Sequence, residues 1–249
     1  MIGIVVVSHS PALAQAAVDL ALEMVGDSPP PIAIAAGAGA GVIGTDATKV
    51  ASAIDEVSSP DGVLVFMDLG SAVLSATMAL EFLLTKHDVR LSAAPFVEGI
   101  IAGVVLAAAG AGLDEVERET HEAMDAKRGQ LGRPPLDRST ADAPPETAGE
   151  VSMGEISIEE RLINPDGLHS RPAAAIVKAM ATFDATVTIS DVASGKGPVS
   201  ASSLFGIMSL GAKEGDVICI SASGPQATAA VAELGAMATE GFGELSDAS

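Results

Sequence analysis

The sequence predicts an open α/β sheet with helices on both faces, joined to a small α+β domain that has helices on one face of a mainly antiparallel sheet. Strand and helix patterns alternate four times over residues 1–129, as is typical of a parallel sheet covered on both sides. Residues 130–152 are rich in Pro and Ala, show no apolar periodicity and are predicted to form a linker. Over residues 153–246 the pattern follows a different order, which predicts a second domain of another class.

In the first domain, each predicted strand is a short apolar run that leads into a helix. The first run is nearly continuous and β-branched, as expected of a parallel strand that is buried on both faces. The predicted strands cover residues 2–7, 32–36, 63–67 and 89–94. The predicted helices cover residues 12–25 and 46–57, a segment after residue 71 that ends near 84, a segment after 99, and residues 113–127.

The second domain is predicted to contain four strands and three helices. Its strands are expected at residues 154–163, 185–190, near 198–200 and at 216–221. Its helices are expected at residues 172–183, 204–210 and 225–239.

Composition excludes several classes of function. The formal net charge is −20, which disfavours binding to nucleic acid or to an anionic membrane surface. Cys219 is the only cysteine, so we expect no intramolecular disulfide and no cysteine metal cluster. The N-terminus lacks a basic region, and its apolar run is too short for a signal peptide or a membrane span. The chain is therefore predicted to be cytoplasmic.

One candidate site surrounds His169. Residues 164–167, Asn-Pro-Asp-Gly, favour a turn, and the helical spacing that follows places His169 at a helix N-terminus. Unpaired amides at such a terminus favour an anion, and Ser170 and Arg171 are candidate phosphate-binding residues. A neutral ring nitrogen beside that anion site could carry a phosphoryl group. The alternative is that His169 only caps the helix and Arg171 is a solvated charge.

A second candidate site involves His9 and Asp68, which both follow the carboxyl ends of predicted strands, where α/β sheets bind ligands. If those strands are neighbours, the Asp68 carboxylate accepts a hydrogen bond from one ring nitrogen and leaves the other as a nucleophile. Gly70 and Ser71, at the start of the next helix, would supply amides to phosphate oxygens. The alternatives are a helix N-cap for Asp68 and a surface loop for His9. The remaining histidines have no metal-ligand spacing, and no metal is predicted.

Residues 167–173, Gly-Leu-His-Ser-Arg-Pro-Ala, resemble the active-site loop of HPr, the histidine phosphocarrier family of the bacterial phosphotransferase system. A second HPr-like segment follows at residues 203–216. This resemblance implies an open-faced sandwich, a phosphoryl group on Nδ1 of His169, and stabilisation of that group by Arg171. It also aligns Ser203 with a serine that is regulatory in some HPr proteins, although a helix N-cap is the simpler role.

Residues 66–72, Phe-Met-Asp-Leu-Gly-Ser-Ala, and the strand that ends at His9 resemble the mannose-type IIA domain. The variant in the phosphotransferase subunit of bacterial dihydroxyacetone kinase is more similar still, because there a IIA-like domain precedes an HPr-like domain. The resemblance implies that His9 carries phosphate on Nε2, that Asp68 orients it, and that the first domain forms a homodimer.

For the whole chain, the resemblance implies a phosphoryl relay from Enzyme I through His169 and His9 to ADP bound on a kinase subunit, with no cofactor on this chain. Because the sequence ends soon after the HPr-like fold, we expect Enzyme I to be a separate protein.

Three other functions compete with this relay. A mannose-type IIA–HPr fusion would feed the IIB component of a sugar transporter. A regulatory protein would have its phosphorylation state sensed by a binding partner. Residues 39–44 fit the pattern G-x-G-x-x-G, which is typical of a dinucleotide-binding oxidoreductase. In a dinucleotide-binding domain these glycines follow the first strand, whereas here they follow the second, which argues against an oxidoreductase.

Overall fold

A computed structural model describes residues 1–26, 28–133 and 156–246. Contacts along the chain divide it into two compact units, Met1–Met124 and Asp125–Ser249. Each unit is described by itself.

The first unit contains a four-stranded sheet in which every pairing is parallel, with the order β2-β1-β3-β4. The strands are β1 (Gly3–Ser8), β2 (Ile32–Ala36), β3 (Val63–Met67) and β4 (Val89–Leu91). The helices are α1 (Pro11–Leu22), α2 (Ala47–Val57), α3 (Gly70–Ala79), α4 (Phe96–Ala108) and α5 (Leu113–Gln130), the last of which extends past Met124, where the unit ends. The first and third strands are neighbours, since Val7 pairs with Met67, and this meets the condition for Asp68 to reach His9.

Helices cover both faces of this sheet, as predicted. All six residues of β1 are buried, which suits a β-branched run in the middle of a parallel sheet. Helices α2 and α3 pack on the face that carries Val5 and Val65. Helix α4 packs on the opposite face, where Gly99 and Gly103 leave room for the ring of Phe66.

The second unit contains a four-stranded antiparallel sheet with the order β5-β8-β6-β7 and with helices on one face. Its strands are β5 (Ile156–Arg161), β6 (Thr186–Asp191), β7 (Lys196–Ser200) and β8 (Val217–Ser223). Its helices are α6 (Ser170–Met180), α7 (Leu204–Leu210) and α8 (Ala227–Thr239), followed by a 3-10 segment at Gly241–Ser246. Burial alternates along β8, whose buried side chains include Ile218 and Ile220. The predicted α+β class is confirmed.

Several element boundaries differ from the prediction. Strand β4 ends at Leu91 rather than at residue 94, because the Ser92 hydroxyl accepts a hydrogen bond from the Ala94 amide and the chain turns towards α4. Helix α3 ends at Ala79 and continues as a 3-10 turn, Leu80–Phe82. Helix α6 begins at Ser170 rather than at residue 172.

The domain boundaries stay predictions. Helix α5 reaches Gln130, which is the first residue of the predicted linker. Residues 134–152 of that linker lie outside the described residues. Within the described ranges, no helix combines the length and the apolar character that crossing a membrane requires.

Candidate functional site

His9 follows the last residue of β1, at the carboxyl edge of the parallel sheet. The glycine-rich loop after β2 holds the backbone there: Gly37 N–H donates to the Ser8 carbonyl and Gly44 N–H donates to the His9 carbonyl, both over 3.1 Å. The side chain of His9 is 19% exposed. The loop thus fixes the main chain while the ring keeps access to solvent.

The Asp68 carboxylate accepts four hydrogen bonds. Its Oδ1 accepts from His9 Nδ1 at 2.9 Å and from Leu69 N–H at 2.8 Å. Its Oδ2 accepts from the Ser8 hydroxyl and from His9 N–H, each at 2.9 Å. Because Asp68 follows β3 directly beside β1, the parallel pairing of these strands brings the carboxylate to the ring.

Two opposing effects act on the pKa of Asp68. Burial alone would raise this pKa, but the hydrogen bonds from the His9 backbone, the His9 ring and the Ser8 hydroxyl outweigh it and hold the pKa below its usual range. The carboxylate therefore stays ionised and accepts a hydrogen bond from Nδ1–H of the His9 ring. The neutral ring then carries its lone pair on Nε2.

The other side of the His9 ring faces the start of α3. The Ser71 hydroxyl lies 2.7 Å from His9 Nε2. Leu69, the N-cap of α3, forms no side-chain cap, and both Gly70 and Ser71 are exposed. The first amides of this helix have no intrahelical acceptor, so they can bind an anion placed on Nε2.

His169 lies at the N-terminus of α6, as predicted; it is the N-cap residue, but its side chain forms no capping hydrogen bond. The preceding turn depends on Gly167, whose φ is +64°. A side chain at this position would collide with the backbone of Ala212 and Lys213. The Leu168 N–H donates to the Ala212 carbonyl at 2.9 Å, which ties the turn to the chain that follows α7.

The His169 ring has an acidic partner that the sequence analysis missed. Its Nε2 lies 2.6 Å from Glu244 Oε1, and the side chains of His169 and Glu244 are 35% and 14% exposed. Asn164, which is fully buried, donates from Nδ2 to the Gly167 carbonyl at 2.6 Å and to Glu244 Oε2 at 3.1 Å. With Nε2–H donated to the carboxylate, the neutral ring carries its lone pair on Nδ1.

The predicted phosphate-binding residues beside His169 are accessible. Ser170 and Arg171 occupy the first turn of α6, where Ser170 is partly buried and Arg171 is exposed. Arg171 forms no hydrogen bond or ion pair with the residues that the structure describes. Its guanidinium is therefore available to an anion at this helix terminus.

Ser203 caps α7, because its hydroxyl accepts from Gly206 N–H at 3.0 Å. A regulatory role for Ser203 stays a prediction. The described ranges contain no group of three His, Cys, Asp or Glu side chains arranged to hold a metal ion.

The dinucleotide alternative finds no support at residues 39–44. After this loop, the Asp46 carboxylate accepts from Thr48 N–H and Lys49 N–H and so occupies the amides that would bind a pyrophosphate. Hydrogen bonds from the Thr48 hydroxyl and from these amides lower the pKa of Asp46, which keeps a negative charge there.

The structure brings His9, Asp68 and Ser71 together at one site, and it places Gly70 beside them. Sequence analysis missed Ser8, although a serine that ends a wholly apolar strand is a detectable signal. It also missed Asn164 as more than a turn residue. No local signal marks Glu244, which lies 75 residues from His169 along the chain.

Two families match the chain. The PTS system fructose IIA component matches residues 3–117, and the PTS HPr component phosphorylation site matches residues 156–240. The chain is 41% identical over 254 residues to the PEP-dependent dihydroxyacetone kinase phosphoryl donor subunit DhaM of Klebsiella michiganensis, an alignment that covers 100% of this chain and 52% of that protein. This chain thus spans about half the length of that relative.

Shorter relatives match each half. The subunit DhaM of PEP-dependent dihydroxyacetone kinase 2 of Listeria innocua is 38% identical over 107 residues, which are 42% of this chain and 85% of that protein. The phosphocarrier protein HPr of Vibrio cholerae is 49% identical over 72 residues, which are 29% of this chain and 81% of that protein.

Proposed function

Because the chain belongs to the family of phosphoryl donor subunits of PEP-dependent dihydroxyacetone kinases, we propose that it relays a phosphoryl group from Enzyme I through His169 and then His9 to ADP on a kinase subunit. The ATP so formed would phosphorylate dihydroxyacetone. The chain itself needs no cofactor, and it acts in the cytoplasm, which its single cysteine favours.

One observation carries this proposal: each histidine gives one ring nitrogen to a carboxylate, which leaves the other as the nucleophile. At His9 the Ser71 hydroxyl contacts that nitrogen and must move aside for phosphorus to approach. Asp68 engages Nδ1 of His9, whereas Glu244 engages Nε2 of His169. A neutral imidazole with one nitrogen so engaged is a nucleophile at the other. The two rings thus offer opposite nitrogens, Nδ1 on His169 and Nε2 on His9, at helix N-termini that favour phosphate oxygens.

The transfer steps follow from this arrangement. The lone pair of His169 Nδ1 attacks phosphorus on phosphorylated Enzyme I, and the donor takes back the electron pair of the bond that breaks. His9 Nε2 then attacks the same phosphorus, and the N–P bond to His169 breaks with its electrons returning to that ring. Positioning and charge stabilisation supply most of the catalysis in such in-line transfers. Arg171 stabilises the charge on the transferred group at His169, and Ser71 does so at His9.

A homodimer through the first unit is part of the proposal. Exposed apolar side chains on and after α3 support it, because a large apolar surface favours association. They are Val73, Leu74, Met78 and Phe82, each at least 42% exposed.

The test is transfer of labelled phosphate from phosphoenolpyruvate through added Enzyme I, chased with dihydroxyacetone kinase subunits that carry ADP. Wild type should charge and then produce dihydroxyacetone phosphate. His169→Ala should fail to charge, whereas His9→Ala should charge but fail to discharge. His121→Ala, which changes an exposed histidine of α5, is the matched control and should behave as wild type.

Two results would contradict the proposal. A wild-type protein that never takes up label would exclude a phosphocarrier. Discharge only to a sugar-specific IIB component would keep the chemistry but assign the chain to a sugar transporter.

A further inference from the structure

The segment that carries Glu244 is held in an unusual backbone conformation. Three consecutive residues after α8 have positive φ: Gly241 at 64°, Phe242 at 54° and Gly243 at 82°. The left-handed region costs a phenylalanine roughly 1–2 kcal/mol, so the surrounding structure must enforce it. Phe242 is only 9% exposed, and burial of its ring offsets that cost. The reversal of the chain that brings Glu244 to His169 is thus fixed by packing.

Asn164 holds the Glu244 carboxylate from the other side. Its amide NH₂ faces two acceptors, the Gly167 carbonyl and Glu244 Oε2. Rotating the amide by half a turn would set its oxygen against both acceptors, so the donor orientation is fixed. Asn164 Oδ1 is buried and has no donor among the described residues. Asn164 therefore donates from Nδ2 to Glu244 while its Oδ1 is left without a hydrogen bond, which costs free energy.

We infer that Glu244 is a positioning residue that fixes His169 as the Nε2–H tautomer and thereby makes Nδ1 the nitrogen that accepts phosphate. An ionised carboxylate only accepts hydrogen bonds, so the ring must donate from Nε2 at the 2.6 Å contact. During transfer the Nε2 proton stays on the ring, and the carboxylate balances the positive charge that the new N–P bond creates. The catalytic consequence rests on the proposed function, whereas the tautomer does not.

This arrangement predicts that the Glu244→Gln substitution changes the His169 ring from the Nε2–H to the Nδ1–H tautomer. A glutamine has one acceptor and one donor, and Asn164 Nδ2 requires the acceptor. The glutamine NH₂ must then face His169 Nε2, which can pair with it only as an acceptor. The ring proton moves to Nδ1, and the nitrogen that should attack phosphorus loses its lone pair. Glu244→Ala removes the partner without imposing the wrong tautomer, so alanine should be the milder change.

The first measurement uses the full-length, unphosphorylated chain labelled with ¹⁵N at histidine, and long-range ¹⁵N–¹H spectra that report the tautomer of each ring. Wild type should show His169 as Nε2–H, and Glu244→Gln should show it as Nδ1–H. Glu240→Gln, which changes an exposed carboxylate just after α8, should match wild type. The unchanged His9 signals report that the first unit is intact.

The second measurement is the rate at which Enzyme I and labelled phosphoenolpyruvate charge His169, in a His9→Ala background so that only His169 retains label. Glu244→Gln should charge about tenfold more slowly than the parent protein, and more slowly than Glu244→Ala. A merely structural role would give the opposite order, since glutamine is the smaller change.

Glu244→Gln that keeps the Nε2–H tautomer, or that charges as fast as Glu244→Ala, would overturn the inference. If no protein accepts label, including the parent, the proposed function fails. The spectra alone then decide the role of Glu244: Nδ1–H in the glutamine variant supports it and Nε2–H refutes it.

Discussion

Replacing Asp68 with asparagine is expected to destabilise the first unit, because an amide cannot accept the four hydrogen bonds that the carboxylate accepts. The side-chain oxygen of the asparagine still accepts hydrogen bonds, but its NH₂ group is a donor and faces groups that are themselves donors. If NH₂ lies at the Oδ2 position, it meets His9 N–H and Ser8. If it lies at the Oδ1 position, it meets Leu69 N–H and must donate to His9 Nδ1, which shifts the ring to the Nε2–H tautomer.

The size of the effect follows from the number of hydrogen bonds that are disrupted, which is two of the four in either orientation. In the first, His9 N–H and Ser8 lose their acceptor; in the second, Leu69 N–H loses its acceptor and the bond to His9 Nδ1 is kept only by a change of tautomer. Each hydrogen bond to a charged acceptor is worth about 1.5–3 kcal/mol. Because relaxation and solvent recover part of this, we expect a loss of roughly 2–4 kcal/mol in the free energy of unfolding at neutral pH.

The loss should also depend on pH. The pKa of Asp68 is lower in the native protein than in the unfolded chain. The ionised carboxylate therefore contributes its full stability above about pH 5, and this contribution declines as the pH falls below ~4 towards the native-state pKa. The difference between wild type and Asp68→Asn should shrink over the same interval.

Urea titrations read from the histidine ring signals test this prediction, since the chain has no Trp or Tyr to report unfolding. His9 reports the first unit, and His169 reports the second, whose midpoint should be the same in both proteins. The midpoint and slope of the His9 transition give the free energy. Equal His9 midpoints for wild type and Asp68→Asn at pH 7.5 would refute the reasoning.

Three further changes test other parts of the structure. Ser71→Ala should slow transfer to His9 about fivefold, the value of one neutral hydrogen bond, while the urea midpoint stays unchanged; an unchanged transfer rate would exclude Ser71 from the reaction. Gly167→Ala forces a side chain against the Ala212 carbonyl at positive φ and should cost the second unit roughly 2–4 kcal/mol, seen as a lower midpoint for its ring signals alone. Phe242→Ala removes a buried ring and should cost that unit about 3 kcal/mol in the same titration, which an unshifted midpoint would contradict.

The sequence predicted the fold class because its β-branched runs and apolar periodicities are local signals. It also placed His9 and Asp68 at the same edge of the sheet, because each follows the carboxyl end of a predicted strand. Their contact further requires that β1 and β3 be neighbours, which the structure shows. Boundaries were less predictable where one side chain decides them. The hydroxyl of Ser92 ends β4 before residue 94, although the residues themselves would suit a longer strand.

The partner of His169 could not be predicted from sequence for a physical reason. Glu244 reaches the ring only because Phe242 adopts a backbone conformation that its residue type disfavours. The backbone preference of phenylalanine disfavours this turn, and the packing of the buried Phe242 ring stabilises it. No sequence pattern around His169 indicates that Glu244, which lies 75 residues further along the chain, will contact its ring.

Glu244 lies beyond the end of the segment that matches the HPr family model. The match to the PTS HPr family model ends at residue 240, four residues before the carboxylate that contacts the His169 ring. A fragment cut at that border would keep strands β5–β8, helices α6–α8 and the whole Gly-Leu-His-Ser-Arg-Pro-Ala segment, and would lose only the 3-10 segment among the described elements. It would nevertheless leave His169 Nε2 without its carboxylate partner and Asn164 Nδ2 with the Gly167 carbonyl alone. The matched segment is therefore shorter than the segment that keeps the contact between Glu244 and the His169 ring, and a fragment meant to retain that contact should end beyond residue 246.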